Sequence, residues 1–168
     1  LFARGRYRLD THGLFARGTR DRILFGAEVW LPHPLDQLAH LLGHLATDHR
    51  PGDAMYRSDF ARLLSHYAIS AEAAAAHLEA HGLGRASRFA LRELSGPTTW
   101  EWTAACLNAM APDPLGDLLA RAAREVVRRR GRFSFVSSLA GHALNSGPRE
   151  TASALSWATW TRVRNAFR

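Results

Sequence analysis

From Pro34 onward the chain is a succession of helix-length amphipathic spans, each stopped by proline or glycine, and this rhythm confines the fold largely to packed helices. Residues 35–49 carry Leu38, Leu41, Leu42 and Leu45 at helical spacing, and Pro51-Gly52 breaks the chain after them. Residues 55–68 set Phe60, Leu63, Leu64 and Tyr67 on an inward face. Ser70 is placed to N-cap a helix over 71–81 that Gly82 ends at C′. Residues 84–95 stop at Gly96-Pro97, and Thr98 or Thr99 opens a helix through about Met110 that Pro112-Asp113-Pro114 terminates. Over 115–130, Leu115, Leu118, Leu119, Ala122, Ala123, Val126 and Val127 form an unbroken stripe. Burial of that stripe is expected to drive this helix. The i,i+4 pairs Asp117/Arg121 and Glu125/Arg129 belong on its outer face, where each contributes only about 0.2–0.5 kcal/mol. Residues 133–144 read as a weaker helix, 145–150 as a loop, and the end bearing Trp157 and Trp160 as a terminal helix or tail.

The start of the chain has a different character. Residues 5–10 alternate strictly, with Tyr7 and Leu9 on one face and Arg6, Arg8 and Asp10 on the other, the pattern of a strand. Residues 22–31 are apolar but interrupted by Gly26, which fits a strand or a short helix. The pentapeptide Leu1–Gly5 recurs as Leu14–Gly18; two copies in so Leu/Ala/Arg-rich a chain make no repeat architecture. The expected fold is mainly α, a helical bundle over 32–168 preceded by one or two short β-strands within 1–31.

At 168 residues the chain suits one domain. No stretch approaches the roughly 18 apolar residues of a membrane-spanning helix. The single cysteine, Cys106, cannot form an internal disulfide, and no signal peptide is visible, so a cytoplasmic protein is expected. All 22 basic residues are arginine. They concentrate at residues 1–22, net charge +4, and 121–132, net charge +5, leaving −2 for the remainder. Arg128, Arg129, Arg130 and Arg132 sit where cations complement a helix C-terminus. The same cluster would also attract nucleic acid or an acidic protein.

Three groups of side chains could carry chemistry. If the first strand continues through Asp10-Thr11-His12, its period of two puts Asp10 and His12 on one face, where a carboxylate can bind Mg²⁺ or take a proton from a hydroxyl. A turn-capping Asp followed by an incidental His has the same sequence. Asp36, His40, His44 and Asp48 form a ladder of i,i+4 steps. His40 and His44 could share a metal, but the zinc-protease glutamate is absent and no third ligand is near in sequence; hydrogen-bonded boundary histidines are the alternative. Trp100 and Trp102 lie about 200° apart on a helix, so at most one enters the core. Cys106 falls mid-helix among apolar residues, and no G-x-S-x-G, P-loop or G-x-G-x-x-G occurs.

Three stretches together resemble an uncharacterised bacterial nucleotidyltransferase-like family: Arg8-Leu9-Asp10-Thr11-His12, the helix Pro34–Ala46 containing His40 and His44, and Asp59-Phe60-Ala61-Arg62-Leu63-Leu64. The resemblance covers roughly residues 5–95. It implies a Gly-Ser turn on a nucleoside triphosphate and an Asp-x-Asp strand holding two Mg²⁺ ions. Asp10 would be a third carboxylate that completes the metal site, with His12 beside it. His40, His44, Asp59 and Arg62 would then contact the nucleotide's small-molecule acceptor. The chain departs from that pattern: it has no Gly-Ser dipeptide and no two acids spaced i,i+2. It begins Leu1-Phe2-Ala3-Arg4 without methionine. The resemblance therefore implies a C-terminal, acceptor-binding portion, with a remnant of the α/β sheet, whose catalytic partner segment precedes Leu1, and no nucleotidyl transfer by this chain alone.

Overall fold

The computed structural model describes residues 11–24, 26–48 and 54–130, together with the isolated helical positions Ala152, Ser156 and Trp160. Among them are seven helices and one two-stranded sheet: α1 (Thr11–Arg17), β1 (Thr19–Leu24), β2 (Ala27–Leu31), α2 (Pro34–Asp48), α3 (Ala54–His66), α4 (Ala71–Ala80), α5 (Gly84–Leu94), α6 (Trp100–Ala109) and α7 (Pro114–Arg130). The protein is mainly helical, with a short sheet before the bundle.

The apolar segment around Gly26 is a hairpin. Its strands pair antiparallel with Thr19 opposite Leu31 and Leu24 opposite Ala27. Gly26 takes the turn at φ 75°, a conformation that only glycine adopts without strain. Residues 5–10, expected as a strand, lie outside the described residues. Thr11 and His12 instead open α1. The alternation that suggested a strand is lost where three apolar residues, Leu14, Phe15 and Ala16, follow one another. Gly18 then ends the helix against the Trp30 ring, where any Cβ would collide with the indole, and Phe15 lies 4.6 Å from the same ring.

The bundle core is built from Leu38, Leu42, Leu45, Phe60, Leu78, Leu91 and Cys106, all essentially inaccessible. α2 packs most extensively on α5, and α4 on α6. Ser70 caps α4 by accepting from the Ala73 N–H at 3.1 Å. Gly82, at φ 69°, closes it with a Schellman turn in which the Leu83 N–H reaches the Leu78 carbonyl at 2.8 Å. Trp102 is the inward member of its pair: its indole N–H donates to the Ile69 carbonyl at 2.7 Å and its ring meets Phe60 edge-on, while Trp100 is exposed.

α7 departs from expectation. Leu115 and Leu118 of its stripe face outward, 59% and 62% exposed, while Leu119 is half-buried and Asp117 turns its carboxylate to Arg92 of α5. Charge sets this orientation. Asp113 N-caps α7 ahead of Pro114, accepting from the Gly116 N–H at 2.7 Å, and also takes the Arg85 guanidinium at 2.7 Å. Asp117 pairs with Arg92 at 2.9 Å and Arg88 at 3.5 Å, and Arg124 pairs with Glu93. The small residues Gly116 and Ala120 sit at the contact and let α7 approach α5 closely enough to form this ladder.

Candidate functional site

An open cleft of about 590 Å³ lies between α1, α2 and α3. Leu14, Pro32, Leu41, Leu63 and Tyr67 give it apolar walls, while Gln37, His40, Asp59, Arg62 and His66 supply polar groups. Helical spacing explains the assembly. Gln37, His40 and Leu41 are neighbours at i,i+3 and i,i+4 on α2, and Asp59, Arg62, Leu63 and His66 repeat the relation on α3. Linings of this kind, mostly apolar with a few convergent polar groups, and volumes in this range are characteristic of small-molecule sites.

Three of the four residues expected to contact an acceptor meet here: His40, Asp59 and Arg62. His44 does not line the cleft; it lies a turn further along α2, its ring 5.7 Å from that of His40 and 6.4 Å from Tyr56. Partial burial of its ring, and then the charge of His44, hold His40 below the ordinary histidine range, so its imidazole is neutral at pH 7. A neutral imidazole can accept a hydroxyl proton or hydrogen-bond a ligand hydroxyl.

In the cleft wall, Asp36 gathers three elements. Its fully buried carboxylate accepts the Arg17 fork, Nε to Oδ2 at 3.0 Å and Nη2 to Oδ1 at 2.9 Å, and meets His77 Nε2 at 3.0 Å through Oδ1. Burial alone raises its pKa, but the Arg17 hydrogen bonds and the charges of Arg17 and His77 outweigh it and keep the group ionised below its ordinary value. Burial, followed by the charge of His81, lowers the His77 pKa against the pull of Asp36, so a neutral His77 donates its Nε2–H to the carboxylate. Asp36, His77 and His81 each offer a ligand atom, and these atoms lie within 4.8 Å of one another.

Of the expected catalytic element, only His12 falls within the described residues. Asp10, assigned the magnesium, lies outside the described residues. His12 is exposed on α1, so the strand geometry that would have aligned it with Asp10 does not apply. Among the described residues, Asp36, His77 and His81 are the one such group of three possible metal ligands, and its two nitrogens suit zinc better than magnesium. The backbone of Arg128, Arg129 and Arg130 ends α7, but their side chains and all of Arg132 lie outside the described residues. Cys106 is buried, its thiol pushed up to about 12 by burial and then by Glu72 and Glu79, and is inert as a nucleophile. No helix among the described residues is long and apolar enough to cross a membrane.

Comparison with family models, with curated proteins and with solved structures finds no match for the chain.

Proposed function

We propose that this chain is a ligand-binding helical module whose cleft between α1, α2 and α3 takes a small molecule with an apolar body and a hydroxyl or amine head. One observation carries the reading: His40 on α2 and Asp59 and Arg62 on α3, which belong to separate sequence motifs, line a single cleft over an apolar floor. Asp59 suits a hydroxyl or amine donor, Arg62 an anionic or carbonyl oxygen, and neutral His40 a hydroxyl proton. Within the nucleotidyltransferase resemblance this is the acceptor-binding portion, which works with a catalytic segment supplied elsewhere. No catalytic step is proposed for this chain. The proposed compartment is the cytoplasm, where a lone buried thiol such as Cys106 stays reduced.

The test uses anilinonaphthalene sulfonate, whose aromatic body and anionic head match the floor and Arg62, titrated by fluorescence. Leu41→Trp, which fills the cleft, and Arg62→Glu, which reverses its charge, should each weaken binding by about tenfold or more, the equivalent of 1.4 kcal/mol. Leu118→Ser on α7 should not. Dye affinity unaltered by both cleft variants refutes the proposal. Binding of an oligonucleotide that weakens steeply with salt and ignores both cleft variants would instead favour a basic nucleic-acid-binding module. On α5, Arg85, Arg88 and Arg92 are engaged by Asp113 and Asp117, which weighs against that second reading.

A further inference from the structure

We propose that Asp36, His77 and His81 form a binding site for one divalent transition-metal ion of the zinc class, clamping α2 to the end of α4. His77 and His81 are four residues apart, and their rings stand 4.4 Å from each other. The Schellman turn at Gly82 fixes this arrangement, because the His81 N–H still donates to the His77 carbonyl at 3.2 Å and so keeps the second histidine on the helical path. Asp36 approaches from the first turn of α2, its side chain buried and its direction set by the Arg17 fork.

One edge of the group is close to that of a loaded site. Donors about 2.0–2.1 Å from a tetrahedral zinc lie roughly 3.3–3.4 Å apart. The edge from Asp36 Oδ1 to His77 Nε2 is 3.0 Å, and the three ligand atoms all fall within 4.8 Å. A few tenths of an ångström on the first edge, and rotation of the partly exposed His81 ring, bring them to bonding positions. The Oδ1 lone pair that now receives the His77 N–H is the one the ion would take; the imidazole then carries its proton on Nδ1 and stays neutral. Arg17 retains Oδ2, in the manner of the outer partners that orient ligating carboxylates. Its positive charge opposes the ion, so affinity falls below that of an unopposed ligand set. Three protein ligands leave the fourth position to water, the open arrangement of reactive zinc sites.

The experiment takes the full chain, stripped with a chelator, and titrates it with Co²⁺ for its visible spectrum and with Zn²⁺ by competition against a chromophoric chelator. The expected result is one equivalent of Co²⁺ with tetrahedral-type absorption, displaced by Zn²⁺, and an unfolding midpoint that rises with free zinc. His81→Ala, at the surface, should retain the helical spectrum and lose affinity by more than the about 10–100-fold typical of removing an outer partner. His81→Gln serves as the second variant. A His40→Ala/His44→Ala variant should bind as before. Absence of stoichiometric binding, binding unaffected by both His81 variants, binding that is lost with His40 and His44, or a metal–sulfur distance in X-ray absorption would each overturn the proposal.

Discussion

Replacing Asp36 by asparagine probes the polar junction that joins α1, α2 and α4. The side chain is fully buried and holds three hydrogen bonds, two from Arg17 and one with His77. Asparagine keeps one acceptor oxygen, but its amide nitrogen faces the guanidinium in either orientation, and in the better one the oxygen keeps Arg17 Nη2 and His77. One bond disappears and the others lose their charge assistance. Hydrogen bonds to charged groups contribute about 1.5–3 kcal/mol each, and breaking a fully buried pair costs about 3–5 kcal/mol. Arg17 is 34% exposed and recovers part of the loss from water, so the lower end applies, about 2 kcal/mol. For a domain of this size that corresponds to a midpoint lower by about 4–8 °C. The assay is urea unfolding at neutral pH followed by far-ultraviolet circular dichroism, with the slope checked for constancy. A double-mutant cycle with Arg17→Met isolates the pair. Asp36→Leu combined with Arg17→Met should recover much of the loss, since buried pairs are often replaceable by hydrocarbon. If Asp36→Asn stays within about 0.5 kcal/mol of wild type, or if the penalty is the same with Arg17 already removed, the junction does not act as described.

Stability should also fall in two acid steps. His77 and His40 have lowered folded pKa values, so the contribution they make above the unfolded value of about 6.5 is lost as pH drops through the folded values; His77→Phe should flatten that step in pH-dependent urea midpoints. Asp36, Asp113 and Asp117 are lowered likewise. Their contribution is present above about pH 3.9 and is lost as pH falls through their folded values, so Asp113→Asn should shrink the second step. Gly116→Ala should destabilise by about 1–3 kcal/mol in thermal unfolding, because a methyl there collides with the Asp113 carboxylate and Arg85. Leu118→Ser, by contrast, should stay within about 0.5 kcal/mol, because the side chain is exposed; a larger loss would return that leucine to the interior.

The helical bundle was readable because its signals are local. Ser70 and Gly82 mark the two ends of α4 by capping chemistry that depends on a few consecutive residues, and the leucines of α2 declare their face by spacing alone. The orientation of α7 was not readable by that route. Its stripe is as regular as that of α2, yet the facing surface of α5 offers Arg85, Arg88 and Arg92, and a row of arginines selects aspartates over leucines. That choice depends on a partner that no window along one helix contains. That Thr11 and His12 open a helix rather than prolong a strand has a related reason: alternation over a few residues says nothing about the packing that follows, and Trp30 against Gly18 belongs to the hairpin beyond. The cleft was half legible, since His40, Asp59 and Arg62 stood out singly, whereas their meeting depends on how α2 and α3 cross. His77 and His81 carry the same spacing as His40 and His44, and that signal was present in the chain. What distinguishes them is Asp36, 41 residues away from His77, which only the folded bundle brings close.

α7 also turns the usual response of an amphipathic helix to salt upside down. Ions screen the attachments that seat it while making water a poorer solvent for the oily strip it displays. Both effects favour the helix leaving its own molecule for a neighbour's, so concentrated salt, ordinarily a preservative of compact proteins, is the condition under which this one should begin to clump.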